Sequence, residues 1–210
     1  MYVREWMSAP VLTIQSRVPA AVALEFMEKH NIRRLPVVES GALVGIVTRS
    51  DLNTLFGKRK ADRHLQKKSV EEVMTPGPWT VSPDDTFESA ALLMLRHKIS
   101  GLPVVSSNKV VGILTESDVF RAFAAILGLA EQGPRVTMHI PEAEDLLEGV
   151  RKRVGRMRIR SLVTLFNPRA KRWEVAVRVR GRVGEEAKAE TKPEAKGASK
   201  AEGKAEDGKA

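Results

Sequence analysis

The chain has 210 residues, 42% hydrophobic and 29% charged, enough apolar content for one large or two small packed domains in water. Its longest apolar runs fall short of the roughly 18 residues a membrane span needs, and the lack of cysteine excludes disulfide frameworks, thiolate zinc sites and cysteine nucleophiles. The net charge of +9 is local: residues 1–150 carry 17 basic against 18 acidic side chains, residues 151–182 carry 12 against one, and residues 183–210 carry 6 against 7.

Arg4 and Glu5 interrupt the basic-apolar-small order of a signal peptide, so export is not expected and a cytoplasmic setting is. The segment Met7-Ser8-Ala9-Pro10-Val11-Leu12-Thr13-Ile14 recurs as Met74-Thr75-Pro76-Gly77-Pro78-Trp79-Thr80-Val81. Ile32–Val38 recurs as Ile99–Val105, and Gly45–Asp51 as Gly112–Asp118, always at an offset of 67 without a gap. Between 7–57 and 74–124, 18 of 51 positions are identical, so the chain contains an internal repeat.

Each copy reads as strand, helix, strand, strand, helix. Ala20, Ala23, Leu24 and Met27 have helical spacing, answered by Phe87, Ala90, Ala91 and Met94. The exchange of Ala20/Leu24 for Phe87/Ala91 trades large and small residues on one face, as compensating packing requires. Leu35–Val38 and Leu43–Thr48 are apolar strands around a turn at Ser40-Gly41, with Asn108-Lys109 expected in the second copy. A second helix is expected from about Arg49, and from about Glu116 in the other copy. The two copies should pack face to face, because neither buries a full core alone.

Gly128 to Gly133-Pro134 reads as a linker. Beyond it, Val136–Ile140 reads as a strand, and residues 142–157 as an amphipathic helix with Leu146, Leu147, Val150 and Val154 on one side. Residues 159–166 and 173–179 form a hairpin around Asn167-Pro168, with Trp173, Val175, Val177 and Val179 alternating with polar neighbours. The tail is built of Ala, Lys, Glu and Gly and should be disordered. The resulting division is 1–66, 67–127, a linker 128–134, a small domain 135–182 and the tail 183–210.

Thr48-x-x-Asp51 and Thr115-x-x-Asp118 each stand where a strand turns into a helix. Two readings fit. One is a capping box, in which the threonine satisfies free N–H groups and the acid complements the helix dipole. The other is a ligand site: backbone donors and the hydroxyl for a phosphate, and the carboxylate for a ribose diol. Gly45 and Gly112 would let a ligand approach the strand.

The G-h-h-T-x-x-D ending, the preceding h-x-x-h-P-V-V strand and the repeat length resemble a tandem pair of CBS domains over about residues 1–125. The resemblance implies an α/β (α+β) fold with two β-α-β-β-α repeats in a pseudo-two-fold module. It also implies a regulatory unit that binds AMP, ATP or related adenosyl compounds between the repeats, with no cofactor required. In that pattern Thr48, Asp51, Thr115 and Asp118 hold phosphate and ribose, and Thr13, Ile14, Thr80 and Val81 flank the base. Arg33, Arg34, Leu35 and Pro36, and Ser100, Gly101, Leu102 and Pro103, line the clefts. One cleft is expected to offer Arg33, Arg34 and Arg49 to a polyphosphate, the other Ser100, Gly101 and Glu116 to a less charged ligand.

Pro141-Glu142-Ala143-Glu144-Asp145-Leu146-Leu147 and the strand-helix-strand-strand order resemble the first half of a ferredoxin-like ACT domain. The whole arrangement is similar to acetoin-utilisation AcuB-type proteins, with the ACT-like part incomplete. That turn lacks the glycine usual in ACT ligand sites, so a dimer contact through the open sheet edge is the expectation there. In such proteins two CBS modules stack into a disc, which also implies a homodimer and a regulated partner enzyme. The alternative is that the basic stretch around Arg151, Lys152, Arg153, Arg156, Arg158 and Arg160 binds nucleic acid, although no zinc knuckle or helix-turn-helix pattern accompanies it. His30 and His97 are repeat equivalents at helix ends, and no nucleophile–base set or metal spacing appears, so catalysis is not expected.

Overall fold

In the computed structural model the described residues are 1–57, 67–129 and 133–180. They fall into two compact units, Met1–Ala124 and a second starting at Ala125. Among them, no helix is long and apolar enough to cross a membrane.

In the first copy, β1 (Ile14–Gln15), α1 (Ala20–Lys29), β2 (Arg34–Glu39), β3 (Ala42–Thr48) and α2 (Arg49–Phe56) follow one another as the pattern predicts. The second copy contains β4 (Thr75–Pro76), α3 (Phe87–His97), β5 (Gly101–Ser106), β6 (Lys109–Thr115) and α4 (Glu116–Ile126). Its expected opening strand is reduced to one parallel bridge, Val81 to Val104. Ser40 and Gly41 take positive φ in the first hairpin turn, and Ser107 and Asn108 do so in the second. That turn therefore lies one residue before the expected Asn108-Lys109, because Lys109 already pairs with Ser106.

Each copy buries one face of its first helix against its hairpin. Ala20, Ala23, Leu24 and Met27 join Leu35, Val37 and Val47 in one core; Phe87, Ala90 and Met94 join Leu102, Val104 and Leu114 in the other. Ala20 is buried where the second copy has buried Phe87, and buried Leu24 is answered by the partly buried Ala91.

The copies are also laced together. Val3 lies in the core of the second copy and Val70 in that of the first. Ser8 and Ile113 exchange backbone hydrogen bonds of 2.9 and 3.1 Å, while Thr75 and Pro76 pair with Ile46 and Gly45 as β4, completing the sheet order β1-β2-β3-β4. Each copy therefore receives the segment that leads into the other. A division at 66/67 follows the repeat in sequence, whereas core membership crosses it.

The second unit holds β7 (Arg135–Pro141), α5 (Leu146–Val154), β8 (Arg158–Asn167) and β9 (Arg172–Arg180). Its sheet order is β7-β9-β8, with antiparallel neighbours. Val175, Val177 and Val179 are buried with Val136, Met138 and Ile140 beneath Val150 and Val154, and Trp173 packs at the edge. The helix is shorter than expected because Asp145 caps it, accepting from the Glu148 N–H at 2.8 Å. The buried stripe runs through Gly149, Val150 and Val154, and Leu147 stands beside it, 63% exposed, rather than within it. A Cβ on Gly149 would stand 2.9 Å from Ile140 Cγ2, so this glycine allows the helix close to the sheet. A hydrogen bond from Asn167, helped by Arg172 and His139, holds the Glu174 carboxyl below the usual carboxylate range. The disorder expected for the tail 183–210 lies outside the described residues.

Candidate ligand-binding clefts

Thr48 and Thr115 end the hairpins, and the helices start at the next residue. Asp51 Oδ2 accepts from the Thr48 N–H (2.9 Å) and hydroxyl (2.8 Å), and the Asp51 N–H donates back to Thr48 Oγ1 at 3.2 Å. Asp118 Oδ2 accepts likewise from the Thr115 N–H (2.8 Å) and hydroxyl (2.6 Å). The capping geometry is thus present at the same residues that line the two clefts of the module. The second carboxylate oxygens differ. Asp118 Oδ1 accepts from Arg121 at 2.6 Å, whereas the residue one repeat earlier is Thr54 and Asp51 Oδ1 has no partner among the described residues.

The larger cleft, about 480 Å³, combines Thr115, Glu116, Ser117, Asp118 and Arg121 of the second copy with Pro10, Val11, Leu12, Asn31, Arg33 and Arg34 of the first. The smaller, about 250 Å³, combines Thr48 and Asp51 of the first copy with Thr75, Pro78, Trp79, Lys98, Ser100 and Gly101 of the second, and Arg34 lines it too. The larger cleft falls within the usual range of small-molecule sites, about 300–1,000 Å³, and the smaller lies just below it.

The expected partition of residues is therefore corrected. Arg33 faces the Thr115–Asp118 corner, not Thr48, and Arg34 lines both clefts, because the exchanged segments bring each helix start against the other copy's helix-to-strand turn. Ser100 and Gly101 face Thr48 and Asp51. Arg49 lines neither cleft; its guanidinium turns back to donate to the carbonyls of Met27 (3.1 Å) and Ile32 (2.9 Å). Glu116 lies with the arginines rather than apart from them. Thr13, Ile14, Leu35, Pro36, Thr80, Val81, Leu102 and Pro103 line neither cleft, and Ile14, Leu35, Val81 and Leu102 are committed to the cores.

Gly45 and Gly112 do not receive a ligand. A Cβ on Gly45 would stand 2.3 Å from Met74 Sδ, and one on Gly112 would stand 2.5 Å from Met7 Sδ. The space belongs to the exchanged segments. Sequence reasoning missed Arg121, Lys98 and Trp79. The signal for Trp79 was available, since the repeat offset sets it against Leu12. In the structure it stacks on His97 with ring centroids 4.2 Å apart.

Arg34 donates through Nη2 to Ser100 Oγ at 2.7 Å. Burial pulls its pKa down, opposed by the charges of Glu116 and Asp118. No group of three His, Asp or Glu suited to a metal occurs among the described residues. In the basic stretch, Lys152 pairs with Glu144 and Glu148, Arg153 with Glu144, and Arg172 with Glu174, so part of that charge is already engaged.

The CBS-domain family model matches residues 3–57 and 70–125. Among curated proteins, the L-aspartate semialdehyde sulfurtransferase of Methanocaldococcus jannaschii is 37% identical over 123 residues, covering 58% of this chain but 23% of that protein. The chain thus spans about a quarter of that relative. The CBS pair of protein MJ0100, solved with 5′-methylthioadenosine and S-adenosyl-L-methionine, is similar at 36% identity and TM-score 0.52, over 59% of this chain and 96% of that one. CBSX2 in complex with AMP is similar at 33% identity and TM-score 0.51, over 58% and 95%. A putative acetoin-utilisation protein (AcuB) from Vibrio cholerae gives 29% identity and TM-score 0.55, over 64% and 98%. With both copies matched over more than half of its length, the chain belongs to the CBS-domain family.

Proposed function

We propose that this chain is a ligand-sensing regulatory protein that takes adenine nucleotides or related adenosyl compounds in the two clefts between its CBS copies. The observation that carries this reading is the pairing, in each cleft, of a Thr–Asp helix start from one copy with cationic or hydroxyl side chains from the other. A helix N-terminus favours a phosphate, and a buried carboxylate edge accepts from a diol. The adenosyl ligands of similar CBS pairs support the same chemistry.

Occupancy regulates only if the ligand binds one arrangement of the protein better than another. The β7-β9-β8 order of the second unit supports the ACT-like reading of residues 135–182, although the family match ends at residue 125. In this reading that unit, or a partner enzyme, receives the signal. The chain self-associates as a homodimer, aided by the apolar outer face of the second copy, where Leu92, Leu95 and Phe120 are exposed.

The test is calorimetry and thermal melting with AMP, ATP, methylthioadenosine and S-adenosylmethionine, since a site ligand raises the melting temperature by mass action. At least one should bind, and Asp51→Ala and Asp118→Ala should each weaken it without unfolding the module. Unchanged binding in both variants would leave the Thr–Asp pairs as helix caps alone.

A further inference from the structure

Positions 34 and 101 are repeat equivalents. Each opens the first strand of a hairpin opposite the threonine that caps the next helix, Arg34 facing Thr48 and Gly101 facing Thr115. The packing of the copies brings the two positions together at the centre of the module. A Cβ built on Gly101 would stand 2.6 Å from Arg34 Cδ and 3.1 Å from Arg34 Nε, so the arginine fills the space where its counterpart's side chain would lie.

One guanidinium therefore lines both clefts. Nη2 is engaged with Ser100 on the smaller-cleft side, and the charges of Glu116 and Asp118 act on the same group from the larger cleft. Its Nε is buried and has no hydrogen-bond partner among the described residues. A guanidinium recognises phosphate through a planar fork, and one fork presents that geometry to one phosphate at a time.

We propose that Arg34 is a single cation shared by the two clefts, so that a phosphate-bearing ligand in one weakens binding of a phosphate-bearing ligand in the other. Ligands without a phosphate occupy the clefts independently. This deepens the proposed function and rests on it. The coupling is reciprocal, because the effect of either site on the other is one free energy.

The test reads the smaller cleft alone, through the indole N–H resonance of Trp79 in the full chain, assigned by its loss in Trp79→Phe. Ser117 is exposed and lines only the larger cleft, so Ser117→Phe obstructs that cleft; calorimetric stoichiometry for AMP then falls by one equivalent. The expected result is that Ser117→Phe tightens AMP at the Trp79 cleft by about tenfold, within the usual range of site coupling, and leaves adenosine unchanged. In an Arg34→Met background, checked for folding by its melt, Ser117→Phe should make no difference to AMP. The proposal is overturned if Ser117→Phe leaves AMP affinity unchanged, shifts AMP and adenosine alike, or keeps its effect in Arg34→Met. If neither ligand moves the Trp79 resonance or binds by calorimetry, the ligand-sensing reading itself fails and the coupling falls with it. Binding without coupling overturns the coupling alone.

Discussion

Met27, Leu35 and Val37 of the first copy and Met94, Leu102 and Val104 of the second are the same residues in the same buried places. On the outer faces of the helices the copies part. Glu25, Glu28 and Asn53 meet solvent in the first copy, where the second presents Leu92, Leu95 and Phe120 at 49%, 74% and 72% exposure. The cleft residues diverge in the same manner: Arg33, Arg34 and Arg121 have Ser100, Gly101 and Thr54 as their repeat equivalents. Packing density ties the interior to a narrow set of shapes, so a duplicated core keeps its residues. A position that touches only water or a ligand is released to differentiate.

The strongest way to break this equivalence is to empty the cores. Leu35→Ala and Leu102→Ala should each cost about 2–5 kcal/mol in urea unfolding, the usual range for a fully buried leucine. A large difference between the two would show that one copy carries the module. Gly45→Ala and Gly112→Ala test the exchanged segments. The new methyl group meets a methionine sulfur and, next, the carbonyl of Thr75 at 3.1 Å or of Ser8 at 3.2 Å. Each should cost about 1–3 kcal/mol, with faster amide exchange at the displaced segment.

Leu95→Glu combined with Phe120→Glu gives the second copy the polarity of the first. Unfolding free energy should move by no more than about 0.5 kcal/mol, as for other surface changes, while light scattering should report a smaller mass at equal concentration. Unchanged mass would remove this face from assembly. The smallest effect is expected at Arg121, whose side chain is 62% exposed although its partner Asp118 is buried. Arg121→Thr should cost about 0.3 kcal/mol, typical of an exposed helical pair. Its mirror, Thr54→Arg, should give Asp51 a comparable partner, visible as restricted motion of the new guanidinium.

The repeat, its strands and its helix starts were readable because they depend on spacing along the chain. Ser107-Asn108 and Leu147 show the limit of that reading: a turn can shift by one residue, and a leucine at helical spacing can stand beside the buried stripe rather than in it. The clefts were legible as residues but not as partners. Nothing in the spacing of Arg33, Arg34 and Asp118 says that they meet, because their meeting depends on Ser8 pairing with Ile113 across the module. Arg49 and Arg34 look alike in sequence. Only the carbonyls of Met27 and Ile32 turn Arg49 inward, whereas the missing side chain at Gly101 draws Arg34 across.

The lacing of Val3 and Ser8 into the second copy also sets an order of events during synthesis. The first copy takes in Val70 and β4, which follow its own helices closely in the chain, so every segment of its core is made before the helices of the second copy. The second copy waits on residues made long before it, since Val3 bonds to Asp85 and Ser8 to Ile113. Residues 3–8 must therefore stay accessible until their distant partners appear, and loss of that short segment would open the far copy while sparing the near one. A circular permutant that starts between the copies would reverse the dependence, delivering residues 3–8 to a second copy already made.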